Sequence, residues 1–490
     1  MLKLAEQISS AGWKFDNTYA RLPQNLLTKL EPTPVKDPKL ILLNDSLLSS
    51  LGLFFNNKKE CVESVFSGNF IPQGSEYIAQ AYAGHQFGYF TILGDGRALL
   101  LGEQICKNGN RFDIQLKGSG QTPYSRGGDG RAALGPVLRE YIISESMFAL
   151  RVPTTRSLAV VLTGEKVFRE VVLPGAILTR IASSHLRVGT FQYAATIRNS
   201  NSLDVLINYT IKRHCPEAIN DNIPALGLLK YVVKKQLDLV VEWMRVGFVH
   251  GVMNTDNTSI SGETIDYGPC AFMNSYSPET FFSSIDHGGR YSFGNQPSII
   301  YWNMLRLAEA LLPAIHDDTK TAIKSAEEVL NDFSQKFNDA WLDMMRKKLG
   351  IVNKKNGDKA LVDSLLSIMV SNKADYTNTF LSLVDSRFST EKIHKNNSFV
   401  SWKKSWESRL REDGCSKEQS LILMNKNNPS IIPRNHIVEE ALEAANFKDF
   451  GLVKKLIDVL KSPYKKDFLD DKYQKPPSEG DENYKTFCGT

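Results

Sequence analysis

Two neighbouring stretches are the most informative part of this chain: His250-Gly-Val-Met-Asn-Thr-Asp256-Asn257 and, shortly after, Ile265-Asp266-Tyr267-Gly268. Both combine turn-forming residues with oxygen-bearing side chains, which is typical of loops. The amide of Asn257 and the carboxylate of Asp266 offer the hard oxygen atoms that Mg²⁺ and Mn²⁺ prefer. The sequence therefore predicts two loops that together hold a divalent metal, with Asn257 and Asp266 as its ligands.

The spacing matches the catalytic and metal-binding loops of phosphotransferases except at one position. In kinases a His-x-Asp sequence is followed by four residues and an Asn, and Asp-Phe-Gly comes next along the chain. When His250 and Asn257 are aligned with that pattern, Val252 occupies the position of the catalytic Asp. The nearest carboxylate is that of Asp256, beside the metal-binding Asn. The pattern predicts that nucleotide and metal binding are kept while the chemistry differs.

A glycine turn lies upstream, in a region of predicted strands. Gln86 to Leu93 is rich in aromatic and β-branched residues and predicts one strand. Gly94-Asp95-Gly96-Arg97 then predicts a tight turn with exposed backbone N–H groups, which suits phosphate binding. Strands are also predicted at 98–107 and 111–117, joined by the hairpin signal Asn108-Gly109. Counting outward from that turn places Leu100 opposite Lys117, toward the glycine turn.

A predicted helix supplies a partner for this lysine. Pro136 favours a helix start, and residues 137–150 follow with a helical pattern that carries Glu140. A strand lysine paired with a helix glutamate is the ion pair that orients the phosphate-contacting lysine of kinases. Either charge alone would be typical of a solvated surface. The agreement of several elements in chain order favours the functional interpretation.

The loop from Gly118 to Arg131 contains five glycines and two arginines, Arg126 and Arg131. Such a loop can surround a polyanion with backbone N–H groups. Further along, Arg180 ends an apolar stretch and Arg187 follows it closely. The planar guanidinium group suits bidentate binding of phosphate.

Together these stretches resemble the selenoprotein O family, protein adenylyltransferases built on a kinase-like fold and once classed as pseudokinases. The motifs that carry the resemblance are Phe15-Asp-Asn-Thr-Tyr-Ala-Arg-Leu-Pro23, Tyr82-Ala-Gly-His-Gln-Phe-Gly88, Gly94-Asp-Gly-Arg97, Gln115-Leu-Lys-Gly-Ser-Gly-Gln-Thr-Pro-Tyr-Ser-Arg126, Gly127-Gly-Asp-Gly-Arg131 and the two loops quoted above. The resemblance implies an α+β, bilobal protein-kinase-like fold with an N-terminal extension and helical C-terminal additions. It also implies transfer of AMP from ATP to Ser, Thr or Tyr hydroxyls of proteins, with Mg²⁺ or Mn²⁺.

Matched residue by residue, the family pattern implies a role for each candidate. Asp256 is the expected proton acceptor, Asn257 and Asp266 are the expected metal ligands, and Glu140 would orient Lys117. The residues expected to bind nucleotide are Gly94, Gly96, Arg97, Lys117, Asp129, Gly130, Arg180, Arg187 and Asp266. In this family the nucleotide is flipped relative to kinases, so that the α-phosphate faces the acceptor and Arg180 and Arg187 hold the leaving pyrophosphate.

The composition agrees with a globular enzyme. The chain has 490 residues, of which 42% are hydrophobic, and its net charge of +5 is too small to predict nucleic-acid binding. No apolar run approaches the length of a membrane span, so we expect no membrane as partner. The resemblance implies protein substrates as partners. The segment Met1-Leu-Lys-Leu-Ala-Glu6 lacks the apolar block of a signal peptide and the arginines of a mitochondrial presequence. Because eukaryotic members of the family that the chain resembles are mitochondrial, we expect a bacterial-type cytoplasmic protein.

The chain is expected to divide into five regions. They are an N-terminal extension over 1–75, a nucleotide-binding lobe over 76–184, a catalytic lobe over 185–345, a helical region over 346–475 and a polar, mobile tail over 476–490. Within the extension, residues 26–51 are predicted to be helical in part. Further helices are predicted over 227–246, 298–312 and 438–445.

The six cysteines show no Cys-x-x-Cys or Cys/His cluster, so no structural zinc site is predicted. The family resemblance adds a redox prediction, since Cys488 matches a position where some relatives carry selenocysteine. Cys270 comes just after the loop that contains Asp266. A disulfide between Cys270 and Cys488 would hold the tail across the active-site loop and would be regulatory in a reducing compartment.

Two other classes of function fit parts of the sequence. One is a kinase of the aminoglycoside phosphotransferase type, whose spacing also fits His250-Gly and Ile265-Asp266; Val252 at the catalytic position counts against it. The other is a catalytically inactive nucleotide-binding scaffold. The retention of Lys117 and Glu140 with a complete metal site counts against that class.

Overall fold

The computed structural model describes residues 2–56, 58–197, 200–385, 387, 392–466, 471–478 and 484–487. The fold is mixed α and β, with most strands in the first half of the chain and mainly helices after it. The strands are β1 Leu27–Lys29, β2 Lys39–Leu43, β3 Ile78–Gln86, β4 Tyr89–Gly94, β5 Ala98–Ile105, β6 Arg111–Lys117, β7 Ala132–Ala133, β8 Arg156–Phe168, β9 Val172–Ala182, β10 Phe248–Val249 and β11 Ala271–Phe272.

The helices follow the same chain order. They are α1 Leu2–Ser9, α2 Asp45–Ser50, α3 Lys58–Phe66, α4 Leu134–Ala149, α5 Val188–Thr196, α6 Ser202–His214, α7 Pro224–Val246, α8 Gln296–Ile315, α9 Thr319–Leu330, α10 Phe333–Lys348, α11 Asp358–Ser371, α12 Tyr376–Val384, α13 Asn397–Glu412, α14 Lys417–Asn427, α15 Asn435–Asn446 and α16 Gly451–Leu460. The helices predicted over 227–246, 298–312 and 438–445 are confirmed as α7, α8 and α15.

A large antiparallel sheet dominates the first half of the chain. Its strands lie in the order β1-β3-β5-β6-β9-β8-β2, with β4 paired to β3 and β7 paired to β9. The N-terminal segment supplies β1 at one end of this order and β2 at the other, through pairs such as Thr28 with Ala79 and Leu40 with Val161. The prediction of partial helix over 26–51 is confirmed by α2, whereas the strands at 27–29 and 39–43 were not predicted.

The sheet is covered on both faces. On one face Val62 and Phe66 of α3 share a core with Leu99, Ile114 and Ile177 of the sheet. On the other face α4 packs against β8 and β9 and joins a second core that continues through the C-terminal helices. The predicted alternation in β6 is confirmed: its apolar side chains enter the core shared with α3, and its polar side chains lie on the opposite face of the sheet. Burial of those polar side chains was not expected from the sequence.

Two details of the predicted strands are wrong. Residues 86–93 do not form one strand, because Phe87 and Gly88 adopt positive φ angles of 51° and 93° and turn the chain between β3 and β4. The β5–β6 register also differs: Ala98, not Leu100, lies opposite Lys117. The turn extends from Cys106 to Asn110, and a bulge between Leu100 and Gly102 adds a further shift. As a result Arg97 is adjacent to Lys117, and its carbonyl accepts a hydrogen bond from Gly118.

The two informative loops lie between short paired strands. Helix α7 begins with Pro224 and ends at Gly247, whose φ of 72° is the left-handed conformation that glycine adopts without strain. Strand β10 follows at once and pairs with β11, with Phe248 opposite Phe272. The chain between these two strands contains the whole segment from His250 to Gly268. The hairpin therefore fixes both loops at the end of a long buried helix.

Part of the C-terminal tail is packed against the protein. The Thr486 hydroxyl donates to the Pro269 carbonyl at 2.6 Å, and its backbone N–H donates to Phe282 at 2.8 Å. Thr486 is buried, and the expected mobility of the tail over 476–490 stays a prediction. Among the described residues, no helix is both long and apolar enough to cross a membrane.

Candidate active site

A cavity of about 480 Å³ lies between the β3–β4 hairpin, the ends of β6 and β9, and the two loops. Residues far apart in sequence meet in its walls. Of the candidates, those that line it are Gly94, Gly96, Arg97, Lys117, Asp129, Gly130, Arg180, Arg187, Asp256, Asn257 and Asp266. Glu140 lies just behind the wall, where it contacts Lys117. The fold thus brings the predicted site residues together, while their individual roles stay predictions.

Four charged side chains form a closed network at the back of the cavity. Lys117 Nζ donates to Glu140 Oε2 at 2.6 Å and to Asp266 Oδ1 at 3.0 Å. Arg180 Nη2 donates to Glu140 Oε1 at 2.5 Å and to the same Asp266 oxygen at 2.6 Å. Two cations are therefore shared between two carboxylates, and the ion pair predicted between Lys117 and Glu140 is present.

Strand register explains why Lys117 and Arg180 meet. Arg180 of β9 lies opposite Gln115 of β6, and Lys117 follows Gln115 by two residues on the same face of the sheet. Arg180 Nη1 donates to Gln115 Oε1 at 3.3 Å, which steadies the guanidinium group. Helix α4 packs across this face and presents Glu140 to both cations. Burial alone would raise the pKa of Glu140, but Arg180 and Lys117 hold this pKa below its ordinary value.

Asp266 occupies an unusual backbone conformation. Its φ of 63° is in the left-handed region, which costs free energy for a residue with a Cβ and is concentrated at functional sites. His250 supports the neighbouring backbone, because its ring Nε2 lies 3.0 Å from the Ile265 carbonyl. His250 is therefore a structural hydrogen-bonding residue of this loop. Burial would raise the pKa of Asp266, yet Arg180 and Lys117 hold it well below its usual range.

Arg187 connects the network to the loop that carries Asp256. Its Nη1 lies 3.5 Å from Asp266 Oδ2 and donates to the backbone carbonyl of Asp256 at 3.0 Å. The guanidinium group also stacks on the ring of Tyr82, 4.4 Å from its centroid. As the residue that precedes α5, Arg187 is held by backbone as well as side-chain contacts. It is buried but still lines the cavity, so it can present donors to an anion.

Asp256 lies in a short helical turn beneath the β3 strand. Its Oδ1 atom is buried without a hydrogen-bond partner among the described residues. A Cβ atom added at Gly84 would overlap this oxygen, so the glycine allows the strand to approach it closely. Burial raises the pKa of Asp256 to about 6, against the opposing effect of its own backbone N–H and of Arg187. A carboxylate oxygen without a partner beside the cavity can accept a proton or contact a cation.

The next residue, Asn257, has its orientation fixed by the backbone. Its Nδ2 donates to the carbonyl of Val252 at 3.0 Å, which leaves the Oδ1 atom as the one able to bind a cation. Val252 occupies the position of the kinase Asp, and its buried side chain offers no carboxylate there. Among the described residues, no group of three or more His, Cys, Asp or Glu side chains could hold a metal. A metal here would depend on Asn257 together with Asp266.

Tight packing explains the glycines of the cavity wall. A Cβ at Gly94 would overlap the ring of Tyr124, and one at Gly96 would lie 2.7 Å from the Tyr124 carbonyl. Gly130 has a φ of 65°, and a Cβ there would overlap the Gly120 carbonyl. The glycine turn and the glycine-rich loop are therefore in direct contact. These glycines are required by packing, whatever they contribute to phosphate binding.

One cation of the wall was not found from the sequence. Arg169, in the turn between β8 and β9, lines the cavity and binds both oxygens of Asp129 at 2.9 Å. The hydrogen bond from Arg169 lowers the pKa of Asp129. A single arginine in a hairpin turn carries no local motif, and only the fold brings it to residue 129. The expected nucleotide contact of Asp129 must therefore form beside an existing ion pair.

The charges of the wall suit a polyanion. Seven cationic side chains line the cavity: Arg97, Lys117, Arg126, Arg131, Arg169, Arg180 and Arg187. Four carboxylates share the wall: Asp95, Asp129, Asp256 and Asp266. The excess of positive charge in a partly enclosed space favours a phosphorylated ligand. A divalent cation would add to this excess.

The structure describes only one of the two predicted redox residues. Cys270 is buried at the end of the Asp266 loop. Cys488 lies outside the described residues. The contact between Thr486 and Pro269 brings the described part of the tail to the residue before Cys270.

Comparison with known proteins agrees with this site. Relatives named protein nucleotidyltransferase YdiU are 56% identical in Bacillus cytotoxicus over 481 residues, covering 98% of both chains, and 55% identical in Clostridium beijerinckii over 485 residues, covering 98% of this chain and 99% of that protein. A relative of the same name in Bacillus cereus is 54% identical over 484 residues, covering 98% of this chain and 99% of its own. These matches define the class as that of protein nucleotidyltransferases.

The family follows from a second comparison. A family model described as protein adenylyltransferase SelO matches residues 10–461. The chain belongs to this family, which confirms the resemblance found in the sequence.

Proposed function

We propose that this protein transfers AMP from ATP to Ser, Thr or Tyr hydroxyls of other proteins, in a bilobal kinase-like fold. The observation that carries the proposal is the network of Lys117, Glu140, Arg180 and Asp266 in a cavity where Val252 replaces the kinase Asp. Lysine on a strand, glutamate on the next helix and two loops after a long helix are the parts of a kinase site in kinase order. Family membership supports AMP as the transferred group.

The distribution of cations supports a nucleotide that is flipped relative to kinases. Arg180 and Arg187 line the cavity beside Asp266, and two further cations suit a phosphate group better than an uncharged adenine ring. In our proposal they bind the β- and γ-phosphates, and the α-phosphate faces Asp256. Arg180 forms ion pairs with Glu140 and Asp266. A metal ion bound by Asp266 would compete with Arg180 for this carboxylate and leave more of the positive charge of Arg180 for the pyrophosphate. Binding of the metal and binding of the pyrophosphate should therefore strengthen each other.

The residues present fit a divalent metal. Asn257 Oδ1 and Asp266 would hold Mg²⁺ or Mn²⁺, and the unpartnered Oδ1 of Asp256 lies in the same wall. When bound, the metal would neutralise phosphate charge during the transfer. Lys117 would contact a phosphate, with Glu140 holding its orientation. Gly94, Gly96, Arg97, Asp129 and Gly130 would form the remaining wall around the nucleotide.

The proposed reaction is a substitution at the α-phosphorus. The acceptor oxygen forms a bond to this phosphorus while the bond to the β-phosphate oxygen breaks and pyrophosphate leaves. The hydroxyl proton passes to a carboxylate oxygen of Asp256, whose buried position keeps it against Gly84 at the cavity. Most of the rate enhancement would come from positioning and charge neutralisation, as in other phosphoryl-type transfers.

Labelled ATP distinguishes this function from the two alternatives. The protein is incubated with Mg²⁺ or Mn²⁺ and a peptide library with Ser, Thr or Tyr at its centre, using ATP labelled at either the α- or the γ-phosphate. Label from the α-phosphate alone supports AMP transfer. Label from the γ-phosphate supports a kinase of the aminoglycoside phosphotransferase type, and ATP binding without transfer supports a scaffold. We also propose a bacterial cytoplasmic location, with neither nucleic acid nor membrane as partner.

A further inference from the structure

The loop from Gly118 to Arg131 forms part of the cavity wall and needs anchors to keep one shape. It contains five glycines, and glycine has more backbone freedom to lose than any other residue. Gly130, one of the predicted nucleotide contacts, lines the cavity and can bind a ligand only through its backbone. Backbone N–H groups bind an anion well when their directions are fixed beforehand. The conformation around Gly130 should therefore affect how tightly the nucleotide is held.

Arg169 supplies an anchor from the turn between β8 and β9. In addition to its two hydrogen bonds with the Asp129 carboxylate, its Nη2 donates to the backbone carbonyl of Arg131 at 3.1 Å. Asp129 Oδ1 also accepts the backbone N–H of Arg131 at 2.9 Å. The Nη1 atom of Arg169 donates to the carbonyl of Phe168 at 2.8 Å, which fixes the guanidinium group on its own hairpin. Arg169 thus binds the residues on both sides of Gly130.

Arg131 attaches the same segment to the rest of the protein. Its Nη1 and Nη2 atoms donate to the carbonyls of Thr33 and Pro34 at 3.1 and 3.2 Å. Its Nη2 also lies 3.1 Å from Glu165 Oε2, on the strand that leads to the turn with Arg169. The end of the loop is therefore attached to the β8–β9 hairpin through two arginines, and Arg169 is the one that binds both neighbours of the glycine.

From these contacts we infer that Arg169 is a positioning residue for the nucleotide: its contacts with Asp129 and Arg131 hold the backbone of Gly130 in the direction that an oxygen atom of the bound ATP requires. The shape of the guanidinium group matters here, because its planar fork reaches two carboxylate oxygens and a carbonyl together, whereas a lysine ammonium cannot do so in the same geometry. The inference rests on the proposed use of ATP and adds a residue that no sequence motif predicted.

Kinetics test the effect on the nucleotide. The full-length wild type is compared with Arg169→Ala, Arg169→Lys and Lys166→Ala in AMP incorporation from α-labelled ATP. Lys166 is exposed on the same hairpin, so Lys166→Ala is a matched removal of a cation. Both Arg169 variants should raise KM for ATP at least about tenfold and change kcat less than about twofold, because a contact made equally before and during the reaction acts on KM. Lys166→Ala should keep both constants.

Limited proteolysis with trypsin tests the loop itself. Arg126 is exposed in this loop and provides a cleavage site, which the masses of the two fragments identify. Without nucleotide, both Arg169 variants should be cleaved after Arg126 at least about fivefold faster than the wild type and Lys166→Ala, because a loop that has lost an anchor opens more often. Arg169→Lys keeps the charge and most of the side chain, so it carries the test if Arg169→Ala does not fold.

Wild-type KM and wild-type cleavage in Arg169→Lys would show that charge alone is sufficient and would overturn the inference. Faster cleavage with an unchanged KM would overturn it too, since the loop would then be released without effect on the nucleotide. A wild type that binds ATP but transfers no AMP would overturn the proposed function. In that case the affinity for ATP, measured by isothermal titration, replaces KM, and a loss of at least about tenfold in both Arg169 variants would still support the role of Arg169.

Discussion

Arg180 donates two hydrogen bonds to a single oxygen of Glu140, from Nε at 2.8 Å and from Nη2 at 2.5 Å. The other Glu140 oxygen is left for Lys117. One carboxylate therefore orients two cations, one on each of two adjacent strands. A kinase-like lysine–glutamate pair has here been extended to include an arginine, which fits a ligand with more charge at this end of the cavity.

Removing the charge of Glu140 should destabilise the protein. Glu140→Gln leaves Lys117 and Arg180 to share Asp266, and breaking a buried ion pair of this kind should cost about 3 kcal/mol in the free energy of unfolding. Chemical denaturation measures this free energy. The control is Glu440→Gln, whose exposed pair with Lys472 should contribute less than about 1 kcal/mol. Equal losses in the two variants would contradict the prediction.

Lys117→Ala and Asp266→Ala should each abolish AMP transfer and leave the fold intact. Lys117 is expected to hold a phosphate and Asp266 the metal, so each change should reduce kcat/KM by about 100-fold or more. The assay is incorporation from α-labelled ATP, with circular dichroism to check folding. Full activity in either folded variant would show that the site has been assigned to the wrong residues.

Arg180→Ala and Arg187→Ala should weaken the binding of ATP far more than that of adenosine. Both guanidinium groups face the cavity and are proposed to contact the β- and γ-phosphates. Isothermal titration with ATP and with adenosine gives the two affinities. A nucleotide complex with adenine between Arg180 and Arg187 and the γ-phosphate at Asp256 would instead support the kinase alternative.

Gly84→Ala should lower kcat by about tenfold or more and leave the protein folded. The added Cβ would overlap Asp256 Oδ1, and small displacements of a reacting group have large effects on rate. Gly135→Ala is the matched control, because a Cβ at that position in α4 has open space around it. Steady-state kinetics of both variants decide the matter, and an unchanged kcat in Gly84→Ala would argue against a catalytic Asp256.

A disulfide between Cys270 and Cys488 should make activity depend on reductant. The described tail already reaches Pro269 through Thr486, so a covalent link nearby would hold the tail over the Asp266 loop. Activity is measured with and without reductant in the wild type, in Cys488→Ala and in the control Cys415→Ala. Reductant should change the wild type and Cys415→Ala but not Cys488→Ala. The same response in all three proteins would exclude the switch.

Local sequence signals predicted which residues lie close together better than they predicted the strands around them. Lys117, Asp256 and Asp266 lie in elements with recognisable spacing, and the fold places them in the wall of one cavity, with Glu140 behind it. The register of β5 and β6 was predicted wrongly, because a bulge and a five-residue turn leave no clear mark in the sequence. Arg169 was missed for a related reason: its position depends on pairing between distant strands.

The ring contacts of His85 with Phe90 and Trp302 show the same limit. They join β3, β4 and α8, which no local sequence pattern connects. The short strands β1 and β2 were hidden as well, since three to five residues give too little periodicity to distinguish strand from helix.

The position of β2 also has a consequence for how the polypeptide assembles during synthesis. Its partner β8 is synthesised long after β2, because β3 to β7 lie between the two strands in the sequence. Until then, the leucines and isoleucine of 39–43 have no strand to cover them. The nascent N-terminal segment therefore passes through a stage in which its exposed apolar side chains make it vulnerable to aggregation.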